Sequence, residues 1–305
     1  MNRQLNTPVL FLIFNRPDTT KRVFESIREA KPTRLYIAAD GFRESKIGEQ
    51  ELCIQTREIV KTIDWQCEVK TLFRDKNLGC KVAVSSAINW FFENEESGII
   101  LEDDCLPNQS FFMFCETLLH YYRDDESVMH IGGANFQGGR KRGESSYYFS
   151  KYNHIWGWAT WRSSWQKYDV TMKDYSPEKT TQLLQSIFDT KREIGYWEKV
   201  FSDVYSGKIN TWDYQWTYAV WKHQGIAVLP NINLVSNIGF DTDATHTDSK
   251  DIMSVGNIPA IEMHEILHPT IKIVNKEADN FALNNVFYPT LFKYAQRKLL
   301  SLISK

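Results

Sequence analysis

Apolar runs alternate with helical patterns along the first hundred residues of the 305-residue chain. The run at positions 8–14 is almost continuously apolar, which is typical of a strand buried on both faces of a parallel sheet. Alternation of this kind indicates an α/β fold with a mostly parallel, Rossmann-like central sheet flanked by helices. The pattern predicts strands at 8–14, 34–39, 68–73 and 98–101, and helices from about 18 to 30, at 49–62 and at 80–93.

The pattern continues less regularly beyond residue 110. Helical spacing predicts helices at 111–123 and 178–206, and short apolar runs predict strands at 127–132 and 226–230. The Gly- and charge-rich stretch 134–148 predicts a flexible surface loop, or alternatively a lid that uses Arg140 or Arg142 to cover an anionic ligand.

Charged residues follow the predicted strands of the first half, namely Arg16, Asp40, Arg74 and Glu102. Parallel strands end at the same edge of a sheet, and that edge is where α/β sheets bind ligands. The fourth strand runs into three consecutive carboxylates, Glu-Asp-Asp at 102–104. Adjacent acids repel one another, and oxygen ligands suit Mg²⁺ or Mn²⁺, which usually also bind substrate phosphates. The run therefore predicts a metal–phosphate site, with an acidic loop that caps the next helix as the alternative.

Composition and missing motifs exclude several classes of protein. The net charge of −2 gives no indication of a nucleic-acid partner. The five cysteines are odd in number and form no C-x-x-C pair, which favours a reducing cytoplasm over a disulfide framework. Neither a signal-peptide apolar region nor a membrane-spanning run of ~20 apolar residues is present. The first strand is followed by no G-x-G-x-x-G or Walker A motif, which argues against dinucleotide and P-loop sites.

Tryptophan is concentrated in one stretch, where four of the ten lie at positions 156–165. Trp158, Trp161 and Trp165 have helical spacing, which predicts core packing for much of this stretch. Trp156 and Trp158 flank Gly157, at which a backbone can approach a ligand closely. Core packing and a platform for a sugar both remain open for Trp156.

The polar residues at the strand ends, taken in order along the chain, match the motifs of a known family. Phe14-Asn15-Arg16, Asp40-Gly41, Asn77-Leu78-Gly79 and Leu101-Glu102-Asp103-Asp104, with Phe111-Phe112 following, occur in that sequence. Over residues 7–247 the chain resembles GT-A glycosyltransferases, among them the N-acetylglucosaminyltransferase of N-glycan processing and bacterial sugar transferases of surface-polysaccharide synthesis. The resemblance implies that a nucleotide-sugar lies across the carboxyl ends of the strands.

The resemblance also implies roles for individual residues. On the donor side Arg16 and Asp40 contact the nucleotide, Asn77 and Lys81 lie near it, Glu102 faces the donor sugar, Asp103 the ribose, and Asp104 the Mn²⁺ or Mg²⁺ on the diphosphate. For the acceptor, the resemblance implies a binding site formed by Trp156, Gly157, Trp158 and Trp212. Asp213 is then the catalytic base, although it also suits the N-cap of a helix, and Tyr214 departs from the family pattern. His246 is a further candidate ligand for the metal or a phosphate, and a surface histidine is the alternative.

These expectations amount to a metal-dependent, inverting hexosyl- or N-acetylhexosaminyl-transferase. The donor is a nucleotide-sugar, with UDP-sugar favoured, and the acceptor is a hydroxyl of a glycan or lipid-linked saccharide. Two alternatives stay open: a sugar-phosphate nucleotidyltransferase, against which the missing Gly-rich loop argues, and a non-catalytic sugar-binding module.

We divide the chain into a transferase domain and a C-terminal extension. The domain covers 1–250, with a donor half at 1–133 and an acceptor half at 134–250, and the extension covers 251–305. Residues 284–305 predict a basic amphipathic helix. Such a helix packs on the domain or attaches peripherally to an anionic inner membrane face, where a lipid-linked acceptor is found.

Overall fold

The computed structural model describes residues 4–239 and 258–287. Its centre is an eight-stranded mixed sheet with the strand order β3-β2-β1-β4-β8-β6-β9-β7, and β5 and β10 form a separate antiparallel pair. The strands are β1 (Val9–Ile13), β2 (Arg34–Ala39), β3 (Glu68–Phe73), β4 (Ser97–Glu102), β5 (Cys105–Pro107), β6 (Val128–Gly132), β7 (Tyr147–Ser150), β8 (Trp158–Trp161), β9 (Ile226–Pro230) and β10 (Val235–Asn237).

The first four strands are parallel, with β1 between β2 and β4 and β3 outside β2. All five residues of β1 are buried, as its continuous apolar run predicts. The carboxyl ends of these strands therefore lie along one edge of the sheet, which we term the carboxyl edge. The predicted α/β class, a mostly parallel central sheet flanked by helices, is confirmed.

The second half of the chain returns to this edge. Strand β8 is antiparallel to both β4 and β6, and β9 is parallel to β6. Ile100 of β4 lies opposite Trp158, the first residue of β8. The residues that precede β8 consequently lie beside the end of β4, next to the carboxylates that follow it.

Helices cover both faces of the sheet because alternate residues of its strands point to opposite sides. Along β1, Val9, Phe11 and Ile13 pack into one core with α1 and α4, while Leu10 and Leu12 pack into a second core with α3, α7 and α8. The helices are α1 (Pro17–Ala30), α2 (Glu49–Ile59), α3 (Gly79–Asn94), α4 (Gln109–Tyr121), α5 (Arg162–Trp165), α6 (Pro177–Ile187), α7 (Lys191–Tyr205), α8 (Asp213–Lys222) and α9 (Lys276–Ala282), followed by a π-helical turn (Leu283–Phe287).

The prediction of a single helix at 178–206 is wrong. The stretch 178–206 forms two helices, because Phe188 is extended and the Thr190 side chain caps α7. The loop predicted for the Gly-rich stretch is confirmed over 134–146, where no helix or strand forms before β7 begins at Tyr147, and Gln137 Nε2 donates to the Ala278 carbonyl on α9 at 3.2 Å. The guanidinium groups of Arg140 and Arg142 lie 4.5 and 5.6 Å from the ring centre of Phe281, on α9, so these side chains are engaged away from the carboxyl edge.

Residues 258–275, which we term the strap, run along the outside of the domain into α9. Asn233 Nδ2 donates to the Ile258 carbonyl at 2.8 Å, and Ser110 Oγ donates to the Met263 carbonyl at 3.1 Å. A bridge between Val274 and Phe149 covers β7, the last strand of the sheet. Within the described residues, no helix combines the length and the apolar character that a bilayer span requires.

Candidate functional site

The ends of β1 and β4 are joined at the carboxyl edge by Asp103. Its Oδ2 accepts a hydrogen bond from the Phe14 backbone N–H at 3.1 Å, and the residue is only 7% exposed. Glu102 is the last residue of β4, and Asp104 follows before β5 begins. The three carboxylates therefore lie where two neighbouring parallel strands terminate, as the sequence predicts.

Arg16 provides the positive charge closest to these acids. Its guanidinium donates to Asp104 Oδ2 at 2.7 Å and lies 3.7 Å from Asp103 Oδ1. Burial lowers the pKa of Arg16, but the charges of Asp103 and Asp104 and the bond to Asp104 outweigh it, so the pKa of Arg16 is raised. The loop after β1 thus places its arginine against the acidic run.

One arginine does not compensate this cluster. Burial, followed by the charges of Asp104 and Asp103, raises the pKa of Glu102 well above its usual range. Burial and the charge of Asp104 raise the pKa of Asp103 to about 7, although Arg16 acts in the opposite direction. Buried carboxylates with raised pKa values gain from an additional cation.

Asp213 faces the same space from the other half of the chain. It is the first residue of α8, and Trp212 occupies the N-cap position without a side-chain cap, so the alternative of an Asp213 N-cap is wrong. Burial raises the pKa of Asp213, and the hydroxyl of Thr211, which donates to its Oδ1, lowers that pKa in part. The charge of Asp213 contributes to the raised pKa of Glu102, which brings both carboxylates into one electrostatic site.

Asp40 and Asn77 hold two loops of the edge together. The Asp40 carboxylate accepts from the backbone N–H groups of Leu78 and Gly79 at 3.0 Å, at the beginning of α3. Asn77 Nδ2 donates to the Gly41 carbonyl at 2.7 Å. Both residues lie at the predicted edge, and each is already bonded to backbone groups. This bracing of α3 is a function that the sequence pattern does not reveal.

Lys81 lies in the first turn of α3, next to Cys80. Cys80 is close enough to Glu102, Asp213, Asp40 and Asp104 for their charges to raise the pKa of its thiol, after burial, to about 12. Among residues 4–239 and 258–287, the half-buried ammonium of Lys81 has neither a hydrogen bond nor an ion pair. Lys81 is therefore a cation on the first turn of α3, one residue after a cysteine that lies close to the carboxylates.

The tryptophans proposed for the acceptor side divide into two groups. Trp156 is half-buried and contacts Phe136 edge to face at 4.9 Å. Gly157 has a φ of +62°, and a Cβ there would collide with Val235, so the close backbone approach requires glycine. Trp158 and Trp212, by contrast, are at most 2% exposed and pack on each other at 5.8 Å. Their enclosure assigns them to the core, which corrects the acceptor-binding role expected of them.

Asn153 and His154, in the loop that leads to Trp156, escaped the sequence reasoning. Neither amide atom of Asn153 has a hydrogen-bond partner among the described residues, nor does Nε2 of His154, and all three atoms are buried. Unpaired buried polar groups are costly and call for a bound water or ligand. No pattern in the sequence distinguishes these residues from ordinary loop positions.

The segment that follows β10 lies against Asp104. The Ile238 backbone N–H donates to the Asp104 carbonyl at 2.8 Å, and a Cβ on Gly239 would collide with the Asp104 carboxylate. His246, predicted as a metal ligand, lies outside the described residues, as do positions 288–305 of the predicted amphipathic helix. In the part of the chain that is described, no three His, Cys, Asp or Glu side chains converge on a point that suits a metal ion.

The carboxylates present nevertheless suit a metal ion that is held jointly by the protein and by a substrate. Mg²⁺ is usually held by one or two carboxylates together with substrate phosphates, and it keeps several waters. Asp104 supplies one such carboxylate at the edge, and the surplus negative charge around it favours a divalent cation. The geometry therefore suits a cation that arrives with a phosphate ligand.

Comparison with known proteins gives similarity of overall fold only. No family model matches the chain, and no curated protein matches it. Solved structures with a similar fold include an apo UDP-glucose pyrophosphorylase, with a TM-score of 0.38 and 8% identity, over 76% of this chain and 93% of that one. They also include 4-diphosphocytidyl-2C-methyl-D-erythritol synthase from Anaerococcus prevotii DSM 20548, with a TM-score of 0.31 and 7% identity, over 66% and 84% of the two chains. HddC from Yersinia pseudotuberculosis has a TM-score of 0.30 and 10% identity, over 55% and 80%.

Proposed function

We propose that the protein is a metal-dependent glycosyltransferase that uses a nucleotide-sugar donor, with UDP-sugar favoured. The observation that carries this proposal is the meeting of two carboxylate groups from opposite halves of the chain. The Glu102–Asp104 run lies at the end of β4, and Asp213 is the first residue of α8. The charge of Asp213 nevertheless helps to raise the pKa of Glu102. A sugar-binding module would not require both.

Asp213 is proposed as the general base. Inverting transfer requires one carboxylate that takes the proton of the attacking acceptor hydroxyl. Burial raises the pKa of Asp213 above its usual value, which strengthens its carboxylate as a base. The Thr211 hydroxyl donates to Asp213 Oδ1 and would orient the carboxylate for the acceptor proton.

The donor side is proposed to bind the diphosphate. Asp104 would hold Mn²⁺ or Mg²⁺, and the cation would stabilise the negative charge that develops on the departing nucleoside diphosphate. The ammonium of Lys81 and the guanidinium of Arg16 are the nearby protein cations for the same phosphates. Glu102 would face the donor sugar and Asp103 the ribose, while Asp40 and Asn77 keep the nucleotide side of the edge in place.

The acceptor is proposed to be a hydroxyl of a glycan or lipid-linked saccharide that binds against Trp156 and Gly157. A half-buried tryptophan offers an apolar face to a sugar ring, and Gly157 admits a ligand close to the backbone. A cytoplasmic location at the inner membrane face, reached through residues 288–305, would bring the enzyme to a lipid-linked acceptor. Vesicle binding by the full chain and by a chain ending at Phe287 tests that location.

Calorimetric titration of UDP tests the donor site. We expect UDP to bind to the wild-type protein with Mn²⁺ and to bind at least about tenfold more weakly without it, since a cation held by Asp104 would supply positive charge to the phosphates. Asp104→Asn should remove the dependence on Mn²⁺, whereas Asp75→Asn, an exposed acid in the loop before α3, should leave it unchanged. Absence of nucleotide binding under all conditions would contradict the proposal.

Sugar-phosphate nucleotidyl transfer is the second candidate, because the structures of similar fold include one named UDP-glucose pyrophosphorylase. The loop after β1, Asn15-Arg16-Pro17-Asp18, has no Gly-rich phosphate-binding sequence. The two reactions release different products, which separates them directly. A glycosyltransferase releases UDP from a UDP-sugar, whereas a nucleotidyltransferase releases pyrophosphate from UTP and a sugar 1-phosphate.

A further inference from the structure

The carboxylate that would hold a metal is already bonded to an arginine. Asp104 Oδ2 accepts from the Arg16 guanidinium at 2.7 Å, and among the described residues its Oδ1 accepts only the weak Sγ–H donor of Cys105, at 3.4 Å. Arg16 also lies 3.7 Å from Asp103. Both side chains of the Arg16–Asp104 pair are largely enclosed, with 22% and 18% exposure, so water screens the pair only in part.

A divalent cation and this guanidinium are in conflict. The cation requires a carboxylate oxygen at about 2.0–2.2 Å, and at Asp104 it would come to lie next to the positive charge of Arg16. An additional anion that contacts both cations would offset the repulsion between them at Asp104. A diphosphate supplies that anion, since its oxygens accept both metal coordination and charge-assisted hydrogen bonds from arginine.

We propose that Arg16 is an internal counter-ion for Asp104 that makes metal binding depend on the nucleotide. Without substrate the guanidinium is bonded to Asp104 Oδ2 and competes with free cations for that oxygen. When a nucleoside diphosphate binds, its phosphates take over the guanidinium, and Asp104 becomes available to the metal. This inference rests on the proposed function for the identity of the incoming anion, but not for the competition itself.

The competition is tested by Mn²⁺ binding in the absence of nucleotide, followed by the electron paramagnetic resonance signal of free Mn²⁺. Arg16→Met should bind Mn²⁺ about tenfold to a hundredfold more tightly than the wild type, the range expected when one hydrogen bond to a charged group no longer competes. Arg16→Lys retains the charge and should stay within about threefold of the wild type. Unchanged affinity in Arg16→Met would overturn the proposal.

Two controls separate the specific contact from general electrostatics. Lys81→Met removes a positive charge from the same edge without touching Asp104, so its Mn²⁺ affinity without nucleotide should change much less than that of Arg16→Met. The double variant Arg16→Met, Asp104→Asn should lose the increase in Mn²⁺ affinity that is expected of Arg16→Met. Equal gains in Lys81→Met and Arg16→Met, or a gain that survives in the double variant, would show that Arg16 does not compete for Asp104.

The nucleotide then gives a signature that a merely structural arginine would not produce. In Arg16→Met, affinity for Mn²⁺ alone rises while affinity for UDP in the presence of saturating Mn²⁺ falls, because the diphosphate has lost its guanidinium. If Arg16→Met gains Mn²⁺ affinity but neither protein binds UDP, the counter-ion role survives and the proposed function fails. If UDP binds with Mn²⁺ and Arg16→Met gains nothing, the donor site survives and the counter-ion role fails.

Discussion

His130 is a buried, neutral histidine on β6 that faces the tryptophans of the second core. Its Nδ1 accepts from Trp216 Nε1–H at 3.2 Å, and its Nε2–H donates to the His154 carbonyl at 2.9 Å. The ring also stacks on Trp158 with the ring centres 5.1 Å apart. The two hydrogen bonds require the neutral ring with its proton on Nε2, and burial lowers the pKa of His130 to about 3.

This lowered pKa predicts a specific loss of stability in acid. In the unfolded chain His130 titrates near 6.5, so its contribution to stability is complete above pH 6.5 and decreases as the pH falls towards 3. The wild-type free energy of unfolding should therefore approach that of His130→Gln below pH 6.5, by about 1.4 kcal/mol per pH unit. Urea unfolding of both proteins from pH 7.5 to 4.5 measures the difference. A difference that stays constant with pH would contradict the buried neutral histidine.

At the scale of elements, the carboxyl edge depends on a joint between β2 and α3. Asp40 accepts from two N–H groups at the beginning of α3, and Asn77 returns a hydrogen bond to Gly41. Gly41 itself admits no side chain, since a Cβ would lie 2.7 Å from the Lys76 backbone nitrogen. The joint fixes the first turn of α3, which contains Lys81, against the end of β2.

The joint predicts that Asp40 contributes to stability as well as to the donor site. Asp40→Ala should lower the free energy of unfolding by about 1–2 kcal/mol, the usual cost of removing a helix cap. Asp75→Ala is the matched control, because Asp75 is an exposed acid in the loop that precedes α3 and should cost less than about 0.5 kcal/mol. Equal stability of the two variants would show that the Asp40 bonds do not support α3.

The elements of the first half could be predicted because each strand is an apolar run that ends in a polar residue. Val9 to Ile13 can be buried on both faces only in a parallel sheet, and that placement brings Arg16 and Asp104 together. The elements of the second half were harder to predict, because the spacing of Trp158, Trp161 and Trp165 is helical. In fact β8 ends at Trp161 and a single helical turn follows, so the rings meet through tertiary packing that local periodicity does not encode.

At the scale of the whole molecule, the strap and α9 complete the second half of the sheet. His268 in the strap stacks on Tyr121 at 4.0 Å, and its Nδ1 is 2.8 Å from the Tyr147 hydroxyl. Asp279 on α9 is buried, accepts from Ser150 Oγ at 2.6 Å and so fixes the end of β7. These contacts connect residues more than 100 positions apart, which is why the sequence pattern alone placed them in a separate extension.

The strap therefore predicts different outcomes for two truncations. A chain that ends at residue 257 loses the cover of β7 and the buried side chains Met263, Ala278 and Leu283, so its edge strand is exposed. Its melting temperature should fall by at least about 10 °C, since each buried apolar side chain contributes roughly 1–3 kcal/mol. A chain that ends at Phe287 retains every described contact and should melt within about 3 °C of the full chain. Circular dichroism measures the melting temperatures of the three proteins. Equal melting temperatures of the two truncated chains would mean that the strap does not stabilise the domain.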